Sequence, residues 1–147
     1  MDELILHGRA FIPGLARGEA LVSREPLSFW GGYDWKTGEI IDRRHPLSGS
    51  IACGKILAIP FTRGSSTTTA VLLEAIRAGT APRAIITTAA DFFFALASVV
   101  AAELYNTPIP LVAIADADFS KLRTGDYISI ESDGRVVVGR PDRLAPE

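Results

Sequence analysis

Between Lys55 and Ile114 short apolar runs alternate with segments of helical spacing, and no other feature of the 147-residue chain constrains its fold as tightly. Lys55-Ile56-Leu57-Ala58-Ile59, Ala84-Ile85-Ile86-Thr87 and Pro110-Leu111-Val112-Ala113-Ile114 read as buried strands. The helical segments between them place Val71, Leu72, Ala75 and Ile76 on one face, and then run from about Phe92 to Leu104. Strand, helix, strand, helix, strand implies parallel pairing with helical crossovers. The ends supply antiparallel material. Leu4-Ile5-Leu6, Arg9-Ala10-Phe11-Ile12 and Glu19-Ala20-Leu21-Val22 are punctuated by Gly8, Pro13-Gly14 and Gly18, and Glu39 to Asp42 reads as a further short strand. Tyr127 to Ile130 and Arg135 to Val138 form a hairpin around Asp133-Gly134. The expectation is an α/β domain with a mixed sheet, a barrel-like β portion and two main helices, rather than a plain doubly wound sheet.

The first crossover holds the strongest candidate site. Pro60-Phe61-Thr62-Arg63-Gly64-Ser65-Ser66-Thr67-Thr68-Thr69 joins the first of these strands to its helix. A glycine turn with two serines therefore sits at a helix N-terminus, where unpaired N–H groups and the positive dipole end favour an anion. Arg63 adds a planar, permanently charged fork suited to a carboxylate or a phosphate. Helix capping explains one of the five consecutive hydroxyl residues, since serine and threonine are preferred caps, but not all five. Capping alone and anion binding beside a hydroxyl both remain open on these residues.

A second loop, Leu27-Ser28-Phe29-Trp30-Gly31-Gly32-Tyr33-Asp34-Trp35, gathers aromatics and paired glycines, which serve either as core plugs or as a recognition surface. At least one of the two tryptophans is expected to pack. Asp42 is expected to turn the chain, and His45 to be an ordinarily solvated loop histidine. Nothing marks His7. Cys53 reads as a small buried hydrophobe, and no cysteine or histidine stands at a ligand spacing from it, so no metal site is expected in this chain.

Composition narrows the function classes. A net charge of −2 with interspersed charged residues points away from nucleic acid and from anionic membrane surfaces. The most apolar stretch, Phe92 to Ala102, falls short of the roughly 20 residues of a spanning helix. No basic segment followed by an apolar core reads as a secretory signal. One cysteine excludes an internal disulfide framework and any iron–sulfur cluster held by this chain alone. A soluble, cytoplasmic protein is expected. The second helix is apolar on nearly every side, through Phe92, Phe93, Phe94, Leu96, Val99 and Val100, so it needs cover from the sheet, from loops or from a partner. A partner is the favoured reading.

Pro13-Gly14, Ser28-Phe29-Trp30-Gly31-Gly32, Thr37-Gly38-Glu39-Ile40-Ile41-Asp42, His45-Pro46-Leu47, Arg63-Gly64-Ser65-Ser66, Gly79, Ala81-Pro82 and Ile109-Pro110-Leu111-Val112 together resemble one family, nearly end to end. It is the small subunit, or swivel domain, of the aconitase X hydro-lyases. The resemblance implies one swivelling β/β/α domain over residues 1–147 that docks on a large subunit carrying an iron–sulfur cluster. It implies dehydration of a small hydroxylated carboxylate, with Ser65 as the base that removes the proton beside the carboxylate. The cluster would act on the leaving hydroxyl. Gly64, Ser66, Ser28, Trp30, Gly31 and Gly32 join Arg63 as expected substrate-binding residues. Trp30, the run from Arg63 to Thr69 and the extended tail resemble the bacterial cis-3-hydroxy-L-proline dehydratase type more than the archaeal mevalonate 5-phosphate dehydratase type. Two other classes stand beside this one: a phosphohistidine-like or anion-binding swivel module, which would use His45 or His7, and a structural subunit that only seals a partner's cleft.

Overall fold

The computed structural model describes residues 3–63, 66–89 and 91–139, with the side chains of Ser66 and Phe92 outside that description. The chain opens with β1 (Glu3–His7) and β2 (Arg9–Ile12), two halves of one segment bent at Gly8. It continues through β3 (Ala16–Val22), β4 (Leu27–Ser28), β5 (Tyr33–Asp34), β6 (Glu39–Ile40), β7 (Ile56–Ala58), β8 (Thr62–Arg63) and α1 (Ser66–Ala78). Then come β9 (Ala84–Thr87), α2 (Phe92–Tyr105), β10 (Leu111–Ala113), α3 (Asp116–Phe119), β11 (Tyr127–Ile130) and β12 (Arg135–Gly139).

Eight of these strands join in the order β1-β12-β11-β3-β7-β9-β10-β2. β3, β7, β9 and β10 run parallel to one another, and the remaining pairs are antiparallel. Because the two ends of that order are consecutive halves of one segment, the sheet folds back on itself, which is the barrel-like portion. Gly8 makes the bend possible: a Cβ there would stand 2.4 Å from Val112 Cγ1 and 2.9 Å from the Ala113 carbonyl oxygen.

β7, β9 and β10 are buried on both faces, hence their continuous apolar runs. Ala20, Ile56, Ala58, Ala84, Ile86 and Val112 point into the closed side, with Ile128, Ile130, Val136 and Val138 of the hairpin and Phe119 of α3. Their neighbours Leu21, Leu57, Ile85 and Leu111 point the other way, under α1 and α2. α1 contributes Leu72, Ala75 and Ile76 as its spacing predicts, while Val71 is only half-buried. Ser98 of α2 is fully buried because its hydroxyl donates to the Ile109 carbonyl and accepts from the Ile109 N–H, both at 2.7 Å.

α2 turns Phe94, Ala97 and Ala101 to the core but leaves Phe93, Leu96, Val99 and Leu104 between 39% and 66% exposed. Among the described residues, the sheet and loops therefore leave that outer face uncovered. Among the described residues no helix is long and apolar enough to cross a membrane.

Several local expectations are corrected. The strand expected over Glu39 to Asp42 is limited to Glu39–Ile40, and the Asp42 carboxylate accepts from Arg44 N–H at 3.0 Å in the turn that follows. His45 is buried rather than solvated: its Nδ1 accepts from Leu47 N–H at 3.1 Å and its Nε2 lies 3.3 Å from the Glu25 carbonyl oxygen. Cys53 is half-buried, with its thiol 3.4 Å from the Gly79 carbonyl oxygen.

Candidate active site

The run Pro60 to Thr69 is not a plain loop. After β7, Thr62 and Arg63 form β8, which pairs parallel with β4 in the register Leu27↔Thr62 and Ser28↔Arg63. The Phe61 carbonyl accepts from Leu27 N–H, and the Pro60 carbonyl from Thr88 N–H. This ladder brings the two loops singled out in the sequence to adjacent rungs. Gly64 and Ser65 lie outside the described residues. They are bracketed by Arg63, which is exposed, and by the backbone of Ser66, where α1 starts. Among the described residues no ion pair involves Arg63.

The second loop is held from beneath. Leu27, Phe29 and Tyr33 are buried, with the Phe29 ring stacked on Tyr33 at 4.9 Å and edge-on to Phe94 at 6.5 Å. Tyr33 also donates its hydroxyl to the Thr80 carbonyl at 2.7 Å. Burial, and then the Cys53 thiol, push the Tyr33 phenol above its ordinary ionisation range. With those anchors inward, Ser28 and Trp30 are on the outer side. The Ser28 hydroxyl donates to the Trp30 carbonyl at 3.0 Å, and Trp30 is 68% exposed. Gly31 adopts φ +79°, and a Cβ on Gly32 would stand 2.1 Å from the Ser28 carbonyl oxygen. Trp35 takes the packing role, against the helix-side core.

One residue at this site escaped the sequence reading. Asp91, only 6% exposed, caps α2 by accepting from Phe94 N–H at 3.0 Å. Its other carboxylate oxygen accepts from the Thr62 N–H at 2.7 Å and from the Thr62 hydroxyl at 2.5 Å. An aspartate directly before a helical run was the available signal. Nothing in the local sequence connects it to Thr62.

The sequence pattern of the aconitase X swivel domain matches residues 5–138. The chain belongs to the aconitase X swivel-domain family. This swivel domain is 42% identical over 132 residues to cis-3-hydroxy-L-proline dehydratase of Pseudomonas aeruginosa, covering 90% of the chain and 22% of that protein. With the protein of the same name from Hypocrea jecorina it shares 41% identity over 123 residues, 84% of the chain and 21% of that protein. The chain thus spans about a fifth of the length of these relatives. The phosphomevalonate dehydratase small subunit of Pyrococcus furiosus is 38% identical over 87% of the chain and 90% of its own length. A crystal structure of aconitase X from Thermococcus kodakaraensis in its holo form superposes with a TM-score of 0.83 at 35% identity, over 93% of this chain and 99% of that one. The mixed sheet with its helices is the aconitase X swivel fold.

Proposed function

We propose that this chain is the small subunit of a heteromeric aconitase X hydro-lyase, a cytoplasmic enzyme that removes water from cis-3-hydroxy-L-proline. On this reading residues 1–147 form one swivel domain that supplies half of an active site and is inert alone. The observation that carries it is the β4–β8 ladder, which sets Ser28, two residues before the exposed Trp30, across from Arg63, three residues before α1. The higher identity to two hydroxyproline dehydratases favours that substrate.

Dehydration requires loss of the proton on the carbon beside the carboxylate and of the hydroxyl on the next carbon. Ser65 takes that proton. A serine oxygen is a weak base unless its anionic form is stabilised, and the α1 N-terminus with Arg63 supplies positive potential in a cleft closed by the partner. Arg63 holds the substrate carboxylate, backed by the Gly64 and Ser66 backbone, while Ser28, Trp30, Gly31 and Gly32 wall the ligand. An iron–sulfur cluster does not fit this chain's donors: it has one cysteine, and among the described residues no group of three His, Cys, Asp or Glu is placed to hold a metal ion. The cluster that the family implies belongs to the large subunit. The uncovered α2 face, rich in Phe93, Leu96 and Val99, suits docking on that subunit.

The test is co-purification with the large subunit and assay on cis-3-hydroxy-L-proline and on mevalonate 5-phosphate. Ser65→Ala is expected to lower kcat by about 10²–10⁴-fold with assembly intact. Full activity of that variant overturns the proton-transfer role. Turnover of the phosphorylated substrate alone establishes the second reading, which the likeness to complete small subunits supports. A phosphohistidine role for His45 is disfavoured by its burial and by the Leu47 N–H held on Nδ1.

A further inference from the structure

The stretch from Thr62 to Thr69 contains Arg63, Gly64 and Ser65 in sequence, and both of its ends are tied to the start of α2. At one end the Asp91 carboxylate takes the two donors of Thr62. At the other, the Thr69 hydroxyl donates to the Phe93 carbonyl at 3.1 Å. Helix capping needs only one carboxylate oxygen of Asp91, and Oδ1 serves it through Phe94 N–H. Among the described residues Oδ2 accepts only from Thr62. Hydrogen bonds to an ionised acceptor are shorter and stronger than neutral ones, and a buried carboxylate that loses its donors is costly.

We propose that Asp91 is a positioning residue: it clamps Thr62 to the N-terminus of α2 and so sets where its strand neighbour Arg63 stands toward the substrate. The catalytic consequence rests on the dehydratase reading above; the clamp itself does not. An asparagine cannot replace it, because one of its two ends is an NH2 group. Either that group faces the two Thr62 donors, or the amide flips and α2 loses its cap. Thr62→Val removes only the hydroxyl donor and leaves the cap untouched, whereas Thr62→Ser retains the clamp.

The experiment compares Asp91→Asn, Thr62→Val and Thr62→Ser in the assembled enzyme, with assembly followed by size-exclusion chromatography and amide exchange followed on the full chain. Asp91→Asn is expected to lower kcat by about 10–100-fold, the scale of an ångström-level misplacement, with a smaller change in KM. Thr62→Val is expected to lower kcat in the same direction, and Thr62→Ser to restore it. The Thr62 and Arg63 amides should exchange faster in Asp91→Asn while those of Leu72 to Ile76 do not. Wild-type kcat in both Asp91→Asn and Thr62→Val overturns the proposal and leaves Asp91 a helix cap. If the wild-type complex dehydrates neither substrate, the dehydratase reading fails, and the amide exchange decides the clamp: unchanged protection at Thr62 and Arg63 overturns it, lost protection upholds it.

Discussion

Ser28 stands directly across the short β4–β8 ladder from Arg63, although 34 positions separate them in the chain. The pairing is parallel, so the chain runs from Ser28 towards Trp30-Gly31-Gly32 in the same direction as it leaves Arg63. On the proposed reading, a substrate carboxylate held by Arg63 would have the loop of the exposed Trp30 as its neighbouring wall.

Arg63 is expected to bind the ground-state carboxylate. Arg63→Ala should raise KM several-fold while kcat changes less, because it removes binding shared by substrate and transition state. Arg63→Lys should recover only part of the loss, since it keeps the charge but not the two-pronged geometry. Steady-state kinetics of the assembled complex check both, and an unchanged KM in Arg63→Ala removes the residue from the site.

The outer face of α2 is expected to be the contact with the large subunit. Leu96 and Val99 are 52% and 50% exposed, so Leu96→Glu with Val99→Lys should change the stability of this chain by no more than about 0.5 kcal/mol. The same double variant should abolish co-elution with the large subunit. Retained assembly places the interface elsewhere.

The paired glycines are required for different reasons. At Gly31 a Cβ meets nothing within 4 Å, and only the positive φ opposes it, so Gly31→Ala should cost about 1–2 kcal/mol. At Gly32 the obstacle is the Ser28 carbonyl, which a side chain cannot displace without moving β4. Gly32→Ala should therefore lower the urea midpoint more than Gly31→Ala, and should impair turnover through the shift at Ser28. Equal midpoints would contradict this.

Tyr33 should give the fold an alkaline limit. Burial first, and the Cys53 thiol second, raise its ionisation above the ordinary value of about 10. As pH climbs past that ordinary value the unfolded chain releases its proton first, so the unfolded state binds fewer protons and stability falls. The slope for one group is at most about 1.4 kcal/mol per pH unit. Urea midpoints compared at about pH 8 and about pH 11 should drop in the wild type. The drop should be smaller in Tyr33→Phe, which also gives up the bond to the Thr80 carbonyl.

Much of this was readable from the residues. β7, β9 and β10 announced themselves as apolar runs because both of their faces are buried, and the hairpin around Gly134 did so through alternation and turn chemistry. β4 and β8 did not, since two residues carry no periodicity and their pairing depends on a partner far along the chain. His45 was misjudged because a histidine beside a proline in a polar stretch gives no sign that Leu47 N–H and the Glu25 carbonyl will enclose it. α3 escaped for a similar reason, being four residues long with Phe119 as its single buried side chain.

From the sequence alone came the alternation of strand and helix, the serine turn at a helix start, the family likeness and a helix too apolar for water. All of these are local patterns of side-chain chemistry, which a linear string preserves. Tertiary structure alone decided the closure of the sheet at Gly8, the meeting of Ser28 with Arg63, and the grip of Asp91 on Thr62. Those depend on backbone groups distant in sequence finding partners, and the chemistry of either residue taken singly does not encode that choice.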